Sequence, residues 1–204
     1  MKKIHGLYLV TASCSVEELC RLVEQAIKGG VSIVQLRDKR ASTEEVLQRA
    51  KRILPLLQAA NIPLLINDHW SVAKRLGVGL HIGIEDGDPR KARDFLGPDA
   101  MLGITVHTQI ERVFRYRDVV DYVGVGPVFV TQTKKDTRSV CGIDGLENMV
   151  RKSPVPVVAI GGIDRQNIGL LRAANPHAVA VCSAVCSAPE PTQAVLELIK
   201  GFGF

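Results

Sequence analysis

Val31-Ser32-Ile33-Val34-Gln35-Leu36-Arg37-Asp38-Lys39 begins as a short apolar, β-branched run and ends in charge. Read as a strand, it sends Gln35, Arg37 and Lys39 to one side, because side chains alternate along extended backbone. The same change from apolar to polar recurs along the chain. Pro63-Leu64-Leu65-Ile66 leads into Asn67-Asp68, and Met101-Leu102-Gly103-Ile104 into Thr105 and His107. The run from Tyr122 to Val130 leads into Thr131-Gln132-Thr133-Lys134-Lys135-Asp136. Val157-Val158-Ala159-Ile160 meets Gly161-Gly162, and Val179-Ala180-Val181-Cys182 meets Ser183. If these runs are parallel strands, every polar cluster falls at a carboxyl end. A (β/α)8 barrel builds its active site on that face.

Helix signals fill the intervals. Ser15-Val16-Glu17-Glu18 and Ser42-Thr43-Glu44-Glu45 are capping boxes, the first opening a helix that stops at Gly29-Gly30. Val46, Leu47, Ala50, Ile53, Leu54 and Leu57 recur at helical spacing, with Pro55 inside the run. Asp88-Pro89 places a cap before a proline at the first helical position. Further helices are expected from about Gln109, around Leu146 to Val150, after Asp164, and from Pro191 to Gly201. Eight strand–helix pairs in this length make a compact α/β barrel, and residues 1–204 are expected to form one barrel domain. An open doubly wound sheet would show the same local alternation and is the structural alternative.

Composition narrows the class. The 204 residues are 46% hydrophobic, which argues against disorder. The formal charge of +5 is spread along the chain without a block of five like charges. Such a surface helps gather phosphorylated substrates but carries no nucleic-acid motif. No apolar run is long enough to span a membrane, and Met1 to Gly6 does not read as a signal peptide. The five cysteines are odd in number and contain no C-x-x-C, as expected of a reduced, cytoplasmic chain. Cys182 and Cys186 lie on apolar or small-residue stretches and read as buried filler. A homo-oligomer is left open.

Several clusters carry chemistry. Arg37 and Lys39 with the Gln35 amide suit a multiply charged anion such as a diphosphate; the plainer reading pairs this strand end with Asp38. Asn67-Asp68 caps a helix or supplies a ligand. With Asp86, Asp68 offers two carboxylates from neighbouring strand ends, which suits Mg²⁺ that keeps waters and takes phosphate oxygens. Glu85 is a further candidate. His69 and His81 flank these acids without zinc spacing and read as hydrogen-bonding or structural. The loop Thr131-Gln132-Thr133-Lys134-Lys135-Asp136 holds two hydroxyls and two lysines fit for an anion or the edge of a heterocycle. Gly161-Gly162 and Ser183 end the seventh and eighth strands, where many barrels bind phosphate.

These residues, in this order, resemble the thiamine-phosphate synthase family. The landmarks are Tyr8-Leu9-Val10-Thr11, Val34-Gln35-Leu36-Arg37-Asp38-Lys39, Asn67-Asp68, His81-Ile82-Gly83 with Glu85-Asp86, and Thr105-Val106-His107-Thr108. They continue with Gly124-Val125-Gly126-Pro127-Val128-Phe129, the 131–136 loop, Ala159-Ile160-Gly161-Gly162-Ile163 and Cys182-Ser183-Ala184. The resemblance implies a (β/α)8 barrel that joins 4-amino-2-methyl-5-hydroxymethylpyrimidine diphosphate to a (carboxy)thiazole phosphate and releases diphosphate. It implies that Gln35, Arg37, Lys39, Asn67, Thr105 and Lys134 hold the pyrimidine diphosphate, with Arg37, Lys39 and Lys134 as catalytic cations. It places Mg²⁺ on Asp68 and Asp86, and the thiazole phosphate on Thr131, Thr133, Gly162, Cys182 and Ser183. Ile84 stands where the family usually has Gln, and Thr105 where Ser is common. Two other readings compete: a thiazole tautomerase on the same barrel, with His107 as acid–base residue, and a non-catalytic barrel that senses a phosphorylated ligand.

Overall fold

The computed structural model describes residues 4–83, 85–131 and 139–204. Eight strands, β1 (Gly6–Val10), β2 (Ile33–Leu36), β3 (Leu64–Asn67), β4 (Gly79–Gly83), β5 (Leu102–Thr105), β6 (Tyr122–Val125), β7 (Val157–Ile160) and β8 (Ala178–Val181), pair in parallel and in sequence order. β8 returns to β1, with Gly6 opposite Ala178 and Leu9 opposite Val181, so the sheet is a closed barrel and not an open doubly wound one. The helices α1 (Val16–Gly29), α2 (Thr43–Ala59), α3 (Trp70–Leu76), α4 (Pro89–Leu96), α5 (Ile110–Tyr116) and α6 (Gly142–Lys152) follow the first six strands. A short α7 (Ser183–Cys186) and the closing α8 (Pro191–Phe202) follow the eighth. No described helix is long and apolar enough to cross a membrane.

Local chemistry sets these boundaries. Both capping boxes form: the Ser15 hydroxyl accepts from the Glu18 amide while the Glu18 carboxylate accepts from the Ser15 amide, and Ser42 and Glu45 do the same. Gly30 ends α1 at φ 95° and Asp88 caps α4. The expected helix after Asp164 is instead a 3-10 turn at Ile168–Arg172. Asp164 Oδ1 accepts the Gln166 and Asn167 amides, and Asn167 Nδ2 donates to the Gly162 carbonyl. These local side-chain bonds compete with an α-helical ladder and hold the segment as a turn. The short α7 has no counterpart in the sequence reading, because four residues carry no measurable period.

Two apolar layers result from strand alternation. Leu7, Leu9, Val34, Leu36, Leu64, Ile66, Leu80, Ile82, Leu102 and Ile104 face outward and bury the apolar stripes of the helices. Tyr8, Val10, Ile33, Leu65, Tyr122, Val158, Ala178 and Ala180 fill the barrel interior. The interior works by size complementarity. Gly103 lies opposite Tyr122, and a Cβ on Gly103 would fall inside the Tyr122 ring. Tyr8 lies opposite Ala180 on its other neighbour, β8. Interior layers built from alternating strands leave room for two tyrosines only where the facing residues are this small.

Gly103→Ala is therefore expected to destabilise the protein by about 1–3 kcal/mol through overpacking against Tyr122. Urea unfolding checks this, and a wild-type midpoint would show that the interior has slack.

Candidate active site

The second strand end is built by buried pins. Thr11, fully buried at the end of β1, accepts the Arg37 amide at 3.0 Å and donates to the Arg37 carbonyl at 3.4 Å. Asp38 is buried. It accepts from the Ser13 hydroxyl at 2.5 Å and the Arg40 amide at 3.1 Å, and pairs with Arg49 of α2 at 3.2 Å. Burial alone would raise the Asp38 carboxyl, but those hydrogen bonds and the Arg49 charge outweigh it and hold the group below the usual range. The expected alternative pairing of this strand end with Asp38 is thus not what forms. Gln35, Arg37 and Lys39 all line the pocket at the mouth of the barrel.

The acids meet there. Lys39 Nζ lies 3.4 Å from Asp68 Oδ2 and 3.9 Å from Asp86 Oδ2, so one ammonium stands beside both carboxylates. Asn67 Nδ2 donates to Asp68 Oδ2 at 2.6 Å. Asp68 Oδ1 is buried and has no hydrogen-bond partner among the described residues. The Asp68 backbone is left-handed, with φ 61°, held by its amide on the His81 carbonyl at 3.0 Å. Asp86 folds back over Gly83, where any Cβ would strike its carboxylate. Glu85 is exposed beside it. Among the described residues no group of three or more His, Cys, Asp or Glu is placed to hold a metal.

Below this mouth runs a line of buried polar groups that the sequence reading did not assemble. Gln35 Nε2 donates to the Tyr8 hydroxyl at 2.7 Å, and the Tyr8 and Tyr122 hydroxyls are 2.8 Å apart. His81 Nδ1 lies 2.8 Å from the Tyr122 hydroxyl, and His81 Nε2 lies 2.8 Å from Thr105 Oγ1. Burial pushes both phenols well above their ordinary range, so they keep their protons. His81, which the sequence reads as hydrogen-bonding or structural, sits in this line. Tyr8 entered the sequence reading only within the Tyr8–Thr11 landmark and Tyr122 only as the start of an apolar run, and neither was given a role, since an aromatic in a strand reads as core. His69 bonds Thr43 at 3.1 Å, and Trp70 packs on Phe95 and Gly87 outside the pocket lining.

The opposite wall comes from β6, β7 and β8. Thr131, Gly161, Gly162, Cys182 and Ser183 line the pocket, so Cys182 is more than buried filler. Gly162 has φ 67°, and a Cβ there would collide with the Val130 carbonyl and lie 2.7 Å from that of Phe129. Glycine is required at this turn. His107, at φ 55°, also lines the pocket; its Nδ1 donates to the Gly126 carbonyl at 2.7 Å, which fixes the ring. Thr133, Lys134 and Ile84 lie outside the described residues, as does Asp136.

The Asp38 geometry gives a pH signature. Its depressed carboxyl stabilises the fold fully above the unfolded value of about 3.9 and ceases to do so as pH falls through the lower folded value. Arg49→Met is expected to cost about 1–3 kcal/mol at neutral pH and to shrink that acid-side slope. Unfolding midpoints from pH 7 to 2.5 check both.

Residues 7–185 match the family model described as thiamine monophosphate synthase. The chain is 42% identical to a thiamine-phosphate synthase of Psychrobacter sp. (strain PRwf-1), over 95% of this chain and 93% of that one. It is 37% identical to a thiamine-phosphate synthase of Methanobrevibacter smithii, over 97% and 95%. The structure superposes on thiamine phosphate pyrophosphorylase from Pyrococcus furiosus with a TM-score of 0.84, at 30% identity, covering 97% of this chain and 95% of that one. A likeness to 3-hexulose-6-phosphate synthase, with a TM-score of 0.68 and 15% identity, shows the shared barrel alone. With the family model matched from the first strand to α7 and the polar residues gathered at one barrel mouth, this chain belongs to the thiamine monophosphate synthase family.

Proposed function

We propose that the pocket joins a hydroxymethylpyrimidine diphosphate to a thiazole phosphate, yielding thiamine phosphate and diphosphate. The chain is a thiamine-phosphate synthase by its relatives. The observation that carries the site assignment is the convergence of Lys39, Asp68 and Asp86 beside Arg37.

The donor set fits Mg²⁺. A buried carboxylate oxygen without a partner is costly unless a cation completes it, and Lys39 already marks cationic preference at this point. Two carboxylates, with the remaining positions left to water and phosphate oxygens, are a usual protein contribution to this ion. Asp68 and Asp86 would hold it, and when bound it would neutralise charge building on the departing diphosphate.

This chain's residues account for the remainder. Arg37, Lys39 and the Asn67 amide, with Lys134 from the loop beyond the described residues, bind the diphosphate and stabilise it as it leaves. The pyrimidine C–O bond breaks first, leaving a methylene cation stabilised by the ring's amino group. Gln35 and Thr105 hold that ring in place. The backbone of Gly162, the side chains of Ser183, Thr131 and Thr133, and the wall at Cys182 hold the thiazole phosphate. That anchoring aims the thiazole nitrogen at the cation, and the nitrogen lone pair forms the new bond without a general base. The arrangement of a nucleophilic Ser or Cys with a base, which other enzymes need, has no task here.

The relatives named above carry the synthase name, and this chain keeps Asp68, Asp86 and the 131–136 loop, so the tautomerase and sensor readings are not favoured. The direct test is incubation with both substrates and Mg²⁺. Thiamine phosphate and diphosphate are expected in equal amounts, and turnover is expected to stop in chelator. Conversion of the thiazole phosphate without any pyrimidine, abolished by His107→Ala, would instead establish the tautomerase. Asp68→Asn is expected to lower kcat by about 10²–10³-fold. The same change is expected to raise the melting temperature, since Asn tolerates left-handed backbone and removes a carboxylate one of whose oxygens is buried without a hydrogen-bond partner. A fall in both would mean that Asp68 serves the fold.

A further inference from the structure

The line of buried polar groups has a direction, and hydrogen counting reveals it. A phenol carries one proton and accepts through its oxygen; a neutral imidazole has one donor nitrogen and one acceptor nitrogen. The Gln35 amide donates to the Tyr8 oxygen, so the Tyr8 proton must go elsewhere. Tyr8 is 1% exposed, and among the described residues the Tyr122 hydroxyl is its acceptor, at 2.8 Å. Tyr122 then gives its own proton to His81 Nδ1. That leaves His81 protonated on Nε2, which donates to Thr105 Oγ1. The opposite direction would strand the Tyr8 proton in the barrel interior, at the cost of an unsatisfied buried donor. The phenols stay protonated throughout, as their burial requires.

We infer that Tyr8, Tyr122 and His81 are positioning residues that form a one-way hydrogen-bond relay, setting the Thr105 hydroxyl as a donor and the Gln35 amide oxygen as an acceptor toward the bound heterocycle. This deepens the function proposed above and rests on it. Thr105 accepts from His81, so its own proton turns toward the pocket that it lines. At the other end Gln35 spends an N–H on Tyr8, which fixes its amide orientation and presents Oε1 to the same pocket. A ligand with an amino donor next to a ring-nitrogen acceptor, such as an aminopyrimidine, matches this polarity. The reversed polarity would meet a donor with a donor.

Two measurements test the relay apart from the overall reaction. Nitrogen NMR of protein carrying isotope-labelled histidine, assigned with His81→Gln, is expected to show His81 neutral with its proton on Nε2. A proton on Nδ1 overturns the relay, whatever the enzyme makes. The second test is a double-mutant cycle read as KM for the pyrimidine diphosphate, or as its calorimetric Kd. Tyr8→Phe and Thr105→Val are each expected to weaken it about tenfold, with the thiazole phosphate KM within about twofold of wild type. Because part of the Tyr8 effect passes through Thr105, the double variant is expected to lose clearly less than the sum of the two single losses. Residues this far apart without a shared partner normally add. Additive losses, or equal losses for both substrates, would reduce the tyrosines to packing and overturn the proposal. Should Tyr8→Phe fail to fold, Tyr122→Phe enters the same cycle with the same expectation. Absence of thiamine phosphate with His81 protonated on Nε2 would sink the function while leaving the relay in place.

Discussion

Closure of eight short parallel strands dictates which side chains face one another inside the barrel. Once β8 pairs with β1, no strand can slip by one residue without turning its outward leucines and valines into the interior. That register places Tyr122 across from Gly103, Tyr8 across from Ala180, and Thr105 across from Gly83 and Gly124. The polar line from Gln35 to Thr105 exists because these pairs leave space for it. The acids at the mouth inherit the same geometry, since Asn67 and His81 are register partners and Asp68 follows directly on them.

The interior is a compromise between stability and use. Buried polar atoms are tolerated when each has a partner, and the hydroxyls, amide and imidazole below the mouth satisfy one another. At the mouth this balance is broken on purpose of chemistry: Asp68 sits in left-handed backbone with an unpartnered carboxylate oxygen. Left-handed backbone and unpartnered polar atoms of this kind cluster at sites that bind ions and substrates. The pinning of Arg37 by Thr11 and of Asp38 by Ser13 and Arg49 is the structural counterweight, keeping the cationic strand end in place while its charges face the pocket.

Much of this was legible from residue order. The strand ends, both capping boxes and the closing helix follow from period, caps and glycines, and the structure places them within a few residues. Alternation alone put Gln35, Arg37 and Lys39 on one side, where they are found together. Asp68 and Asp86 were paired from their positions after neighbouring strands, and Lys39 now stands beside both. The misses share a cause. The 3-10 turn after Asp164 depends on Asn167 reaching the Gly162 carbonyl, and α7 is too short to show a period. Asp38 looked like a surface partner for its neighbours and turned out to serve Ser13 and Arg49, which are distant in sequence.

What the chain's own order determined is the set of elements and the end of the barrel where chemistry gathers, because period, caps and strand-end polarity are local properties. What only the tertiary structure decided is which distant groups touch. Tyr8 and Tyr122 are 114 positions apart, and His81 lies 24 positions from Thr105. Their hydrogen bonds arise from closure, which sets β1 and β6 facing one another across the barrel interior, and from register, which places β4 beside β5; no local pattern encodes either.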